Sequence, residues 1–321
     1  MINESPHTGS STQLSALGIC LEEYAYPYPV GFFPRRSDLQ SLVMAYMDVP
    51  PATEPNGKTV VLMHGKAFGG YYFEHVAALT AAGSRVIVPD QMGWGKSSKP
   101  DIHYSFHLFA ENTAALLDHL GVGKVAVLGH STGGMTATRF TLMYPDRVTH
   151  LVLEDPLGLA DYRIGIPPQS EETLYDHELH WTNPEVIRDY FKGYFVHPDP
   201  KVYIPLADVL VRVTLSPDYA RWARSAALTF QMIYQQPVRY EFHRIAPPTL
   251  LIVGEKDHSV PLGSYAPPDE LARLGDFLEL SEAAVADIPN ARRVVVPDCG
   301  HIPHIEFPQR FLDAFLPFLA S

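Results

Sequence analysis

The stretch Val125-Ala-Val-Leu-Gly-His-Ser-Thr-Gly-Gly134 constrains this chain more than any other. A buried apolar strand runs straight into Gly-x-Ser-x-Gly at 129–133, and a helical pattern follows from Met135 to Tyr144. So short a strand-to-helix connection forces a sharp turn at Ser131, and Gly129 and Gly133 leave room for a strained backbone there. The turn lifts the Ser131 hydroxyl above the carboxyl end of a sheet. It also leaves the backbone N–H of Thr132 unpaired at the helix start. The pentapeptide alone does not decide; its setting does.

That setting is a repeated strand–helix alternation. The segment 38–48 reads as a strand, followed by the short apolar runs 58–63, 84–89, 125–130, 148–153, 249–253 and 293–296. Helical patterns lie between them, notably 105–120, and one near 308–319 closes the chain. Short unbroken apolar strands alternating with helices predict an α/β protein, a mostly parallel central sheet with helices on both faces.

The rhythm breaks from about 157 to 240, where no apolar strand is found. Helix-like pieces there carry Tyr175, Trp181, Tyr190, Phe191, Tyr194, Phe195, Trp222, Phe230 and Tyr234. This segment reads as an inserted helical cap whose aromatics roof an apolar pocket. The expected division is an amino-terminal arm at 1–37, a core at 38–156 and 241–321, and the cap at 157–240. The first 20 residues lack periodicity and read as a loose or draped arm. The proline-punctuated aromatic stretch 24–34 reads as chain extended along the surface.

A serine hydroxyl needs a neutral imidazole within hydrogen-bond reach, and that imidazole needs an acid to fix its tautomer. Asp257, in Gly254-Glu-Lys-Asp257, directly follows a strand; His301 lies in the loop between the last strand and the last helix. Ser131, Asp257 and His301 therefore form the expected catalytic set. His304 is a reserve base, and Glu154 or Asp155, also at a strand end, is an alternative acid. A developing oxyanion needs two fixed donors, expected from the N–H of Thr132 and that of Lys66 in His64-Gly-Lys. His64, Trp181 and Trp222 are the expected pocket residues.

Taken together, His64-Gly65, Asp90-Gln-Met-Gly-Trp-Gly-Lys-Ser-Ser-Lys-Pro100, Gly-His-Ser-Thr-Gly133, Gly-Glu-Lys-Asp257 and Gly-His301 resemble the α/β-hydrolase superfamily. The likeness is to capped, esterase-like serine members with a His-Gly-Lys oxyanion loop, and it spans about 38–321. It implies the α/β-hydrolase fold and a Ser-His-Asp triad in the order seen here. Epoxide hydrolases and haloalkane dehalogenases share the glycine-rich stretch after Asp90, but they resemble this chain with an aspartate where Ser131 stands. One departure is the 44-residue spacing from Asp257 to His301, which implies an extra helical segment at 265–287 near the mouth of the site.

The expected reaction is hydrolysis of a carboxylic ester or lactone through an acyl-enzyme. Rival readings on the same triad are a C–C bond hydrolase and an aminopeptidase, for which Glu154, Asp155 and Glu178 supply acidic groups. A small-ligand receptor of this fold is a further alternative. No cofactor and no metal are expected. A net charge of −12 argues against a nucleic-acid partner and points to an apolar, ester-like small molecule. Cys20 and Cys299 are expected as reduced thiols. No run of apolar residues is long enough to span a bilayer, and residues 1–15 lack the pattern of an export signal, so a cytoplasmic protein is expected.

Overall fold

A computed structural model of the chain describes residues 14–37 and 40–321. Its centre is an eight-stranded sheet made of β1 (Val30–Ser37), β2 (Gln40–Val49), β3 (Thr59–Met63), β4 (Arg85–Pro89), β5 (Val125–His130), β6 (Val148–Glu154), β7 (Thr249–Gly254) and β8 (Ala291–Val296). The spatial order is β1-β2-β4-β3-β5-β6-β7-β8. Only β2 runs antiparallel to its neighbours; the remaining pairs are parallel. This is the α/β-hydrolase fold.

The inner strands read as continuous apolar runs because both faces are covered. Successive side chains point to opposite faces of a strand. Val61, Met63, Val127, Leu151, Leu153, Leu251 and Val253 belong to one core. They pack with residues of α2 (Phe106–His119), α3 (Thr132–Met143) and a later helix, Phe277–Asp287. The alternate residues Val60, Leu62, Ala126, Leu128, Val152, Leu250 and Ile252 join a second core. There they meet α1 (Val76–Ala81) and the terminal helix Pro308–Ala320.

Five helices fill the chain between β6 and β7: α4 (Tyr162–Gly165), α5 (Glu171–His180), α6 (Pro184–Lys192), α7 (Pro200–Thr214) and α8 (Tyr219–Gln235). Four of them start on a side-chain cap, α4 on Asp161, which accepts from the Arg163 N–H (3.1 Å). Ser170, Asn183 and Asp199 accept from the first-turn N–H groups of α5, α6 and α7, and proline at the start of α6 and α7 presets the helical φ. Beyond β7 come α9 (Pro268–Leu274) and α10 (Phe277–Asp287), then α11 (Pro303–Glu306) and α12 (Pro308–Ala320) after β8.

Three sequence expectations change. Part of the stretch read as surface-extended chain, Val30 onward, is strand β1, paired with β2 along its whole length. The expected strand at 38–48 is β2, with residues 38 and 39 outside the described part. From residue 14 the arm is not loose: Leu17, Ile19 and Leu21 are buried. The Leu17 N–H donates to the Arg212 carbonyl (3.0 Å), and the Lys96 ammonium donates to the Leu21 carbonyl. Finally, the segment after Asp257 does not lie wholly at the site mouth. Helix α10 packs on β7 and β8 and is the crossover helix between them, which accounts for the long spacing to His301. Among the described residues, no helix is long and apolar enough to cross a membrane.

The turn after β5 tolerates no added side chain at its second glycine. A Cβ on Gly133 would stand 2.0 Å from the Met63 carbonyl oxygen, whereas one on Gly123 meets nothing within 4 Å. Gly133→Ala is therefore expected to destabilise the fold by about 3 kcal/mol or more, at or beyond the upper end of overpacking effects. Gly123→Ala is expected to be neutral or mildly stabilising, by up to about 1 kcal/mol. Urea unfolding of the two variants checks the contrast.

Candidate active site

Ser131 occupies the turn between β5 and α3 with φ 55° and ψ −122°, a conformation that residues bearing a Cβ rarely adopt. Three backbone hydrogen bonds hold it there. Its N–H donates to the Glu154 carbonyl (3.0 Å), and its carbonyl accepts from Gly134 (2.8 Å) and Leu157 (3.0 Å). As the first residue of α3, Thr132 has an N–H with no intrahelical partner. The Ser131 hydroxyl makes no hydrogen bond to another described residue; its expected contact with His301 is the kind that tightens when substrate binds.

His301 and Asp257 are brought together. The imidazole Nδ1 lies 2.7 Å from Asp257 Oδ2, and both side chains are buried. Burial alone would raise the Asp257 pKa, but His301 and the backbone and side chain of Ser259 outweigh it and hold the carboxyl below its ordinary value. Nδ1 donates to the carboxylate, so Nε2 is left as the acceptor. Ser131, Thr132, Lys66, Asp257 and His301 line one cavity of about 390 Å³.

The alternatives are committed elsewhere. Asp155 accepts the Gly254 N–H with both oxygens (2.9 and 3.2 Å). Burial, and then the nearby charge of Asp257, push its pKa well up. Glu154 receives both the backbone N–H and the Nδ1 of His304. His304 is fully buried and does not line the cavity; burial lowers its pKa to about 3.

Two pocket expectations need correction. His64 does not line the cavity. Its Nε2 accepts from the Gln91 N–H (2.9 Å) and its Nδ1 donates to the Gly65 carbonyl (2.8 Å), so it braces two loops. Trp222 is turned away as well, edge-on to Trp94 and stacked on Tyr219, in the layer that receives Leu21 and Val209. Of the three expected pocket residues, Trp181 lines a second chamber next to the first, and neither of the others lines either chamber. The Lys66 side chain runs to Glu178 (3.2 Å) and over the Phe230 ring (3.8 Å to its centroid).

One element had no counterpart in the sequence reading. His130, immediately before Ser131, donates from Nε2 to the His301 carbonyl (2.8 Å). Its Nδ1 is then an acceptor, and Tyr72 Oη lies 2.8 Å away as donor. The same hydroxyl accepts the Gly65 N–H (3.0 Å). Burial, with His301 adding to it, lowers the His130 pKa to about 3, so the ring is neutral. One chain of hydrogen bonds thus joins the loop carrying Lys66, the Ser131 turn and the His301 loop. Tyr72→Phe leaves a buried N–H and a buried ring nitrogen unpaired and is expected to cost about 1–3 kcal/mol, read from the shift of the urea midpoint.

The comparisons with known proteins agree with this fold. The alpha/beta hydrolase fold family matches residues 58–308. A crystal structure of a probable hydrolytic enzyme from Pseudomonas aeruginosa PAO1 is 41% identical and superposes with a TM-score of 0.92, over 96% of this chain and 99% of that one. A 2-hydroxy-6-oxo-6-(2'-aminophenyl)hexa-2,4-dienoic acid hydrolase from Metapseudomonas resinovorans is 29% identical across 82% of this chain and 84% of its own length. An esterase from Exiguobacterium antarcticum shares the fold at 20% identity, with a TM-score of 0.67 over 87% of this chain and 96% of that one. The chain belongs to the α/β-hydrolase family and is a hydrolase.

Proposed function

We infer that the protein cleaves a carboxylic ester or lactone through an acyl-enzyme on Ser131. The observation that carries this reading is a strained, cavity-lining serine sharing that cavity with a histidine backed by a buried aspartate. His301 Nε2 takes the Ser131 proton as Oγ attacks the carbonyl carbon. Asp257 fixes the tautomer and stabilises the imidazolium. The tetrahedral oxyanion is held by the N–H groups of Lys66 and Thr132. His301 then protonates the leaving alcohol, and the C–O bond breaks. In the second half the same imidazole takes a proton from water, which attacks the acyl carbonyl; the imidazolium then returns the proton to Ser131 Oγ as the C–Oγ bond breaks and the acid leaves.

The residues at 157–240 act as a cap over this site. Leu157, Asp189, Tyr190, Tyr194, Phe230 and Ile233 from that segment line the cavity that holds Ser131. The aromatic and aliphatic side chains of this wall, set among the charged Lys66, Asp189 and Lys256, suit a small molecule with an apolar part. A second reading, hydrolysis of a C–C bond next to a carbonyl, is favoured by the similarity to the dienoic acid hydrolase over most of both chains. The aminopeptidase reading loses support, because Glu154 is tied to His304, Asp155 to Gly254 and Glu178 to Lys66.

Ser131→Ala is expected to lower kcat on short-chain p-nitrophenyl esters by roughly 10⁴ to 10⁶ while the fold is kept. Asp257→Asn is expected to cost on the order of 10⁴ by mis-setting the tautomer; Glu154→Gln and Asp155→Asn are each expected to cost far less. Steady-state kinetics with circular dichroism as the folding control measures all four. Near-unchanged turnover by the alanine variant removes the assignment, and the reverse ranking of the carboxylates moves the acid to the end of β6.

A further inference from the structure

Beyond the cavity at Ser131 lies a second chamber of about 250 Å³. The two share Lys66, Tyr190, Phe230, Val260 and Pro261 as walls, so a substrate arm leaving Ser131 past these residues enters the second chamber. Most of the chamber is apolar, but one wall is a Lys66–Glu178 pair. The Glu178 side chain is 1% exposed and that of Lys66 13%. Glu178 Oε1 faces the ammonium at 3.2 Å, while Oε2 is buried and meets no donor among the described residues. A buried carboxylate oxygen without a donor is costly in an apo chamber and is satisfied when a ligand supplies one.

We propose that this chamber is a specificity subsite for an uncharged, hydroxyl-bearing arm of the ester substrate. The charges of Lys66 and Glu178 offset one another, so the chamber presents no net charge to hold an ammonium or a carboxylate. What the pair offers is an acceptor at Oε2 beside the remaining N–H groups of Lys66. A hydroxyl matches both, since it donates and accepts at one atom. The apolar walls, among them Leu174, Trp181 and Leu262, take the hydrocarbon that carries it. A site built to hydrogen-bond a substrate hydroxyl discriminates strongly against the analogue lacking it, because its own polar groups are then left unpaired. This inference rests on the ester-hydrolase reading above and adds the substrate class.

The test measures kcat/KM for two matched series: p-nitrophenyl esters of straight-chain acids with and without a terminal hydroxyl, and acetates of the corresponding diols and plain alcohols. The wild-type enzyme is expected to favour the hydroxylated member of one series, at the matching chain length, by about 10- to 100-fold, as for a hydrogen bond to a charged group. The single variant Glu178→Leu strands a buried ammonium and is at risk of misfolding. The variant Glu178→Gln keeps the shape of the side chain and an oxygen for the ammonium, and puts an amide N–H group where Oε2 accepted. In it the preference is expected to fall to about one, with fluorophosphonate labelling of Ser131 as the sign of an intact site. Equal rates on both members of every pair in the wild type overturn the proposal, as does a preference that survives unchanged in Glu178→Gln. So does a stronger preference for terminal amino esters, which would make the subsite a cation site. If no ester of any kind is turned over, the ester-hydrolase reading itself falls.

Discussion

The structure depends on one strained residue. Ser131 adopts a positive φ although it carries a Cβ, at a cost of about 1–3 kcal/mol that its surroundings must offset. The offset is visible around it. Glu154, Gly134 and Leu157 complete its backbone hydrogen bonds, and Gly129 and Gly133 permit contacts that any Cβ would close to 2.2 Å or less. The strands on either side of β5, β3 and β6, are part of the same arrangement. A Cβ at Gly133 would strike the end of β3, and the end of β6 accepts the Ser131 N–H. Strain at this one turn therefore requires the middle of the parallel sheet to be in register.

The loops around the turn are coupled by neutral hydrogen bonds rather than by charge. Gly65, Tyr72, His130 and the His301 carbonyl form a dry relay. Asp90 gathers the N–H of Gly70, the N–H of Lys96 and the hydroxyl of Tyr26. The first relay fixes the loop carrying Lys66 against the loop carrying His301. The second ties the following loop to the amino-terminal arm, which in turn packs on α7.

Much of this was legible in the sequence. The strand–turn–helix at Ser131, the apolar strands, and the positions of Asp257 and His301 follow from periodicity and from what a serine nucleophile requires. What escaped has physical causes. Strand β1 carries a proline, Pro34, and follows a proline-rich stretch, so local propensity argued against it; its pairing with β2 prevailed. Trp222 and His64 were assigned to the pocket by residue type, yet their orientation is set by long-range partners, Trp94 and Gln91, which no local pattern reveals. The Lys66–Glu178 pair joins residues 112 apart in the chain, and only the fold brings them together.

The central claim is a covalent acyl-enzyme on Ser131, common to every ester of one acid. The most direct measurement hydrolyses several esters of a single acid, differing in leaving alcohol, in water containing a fixed fraction of methanol. The ratio of methyl ester to free acid is then determined for each. Because one acyl-enzyme partitions between the two nucleophiles, the account predicts the same ratio for every leaving group, at different overall rates. A ratio that changes with the leaving alcohol would mean that the nucleophile attacks the substrate directly, and would contradict it.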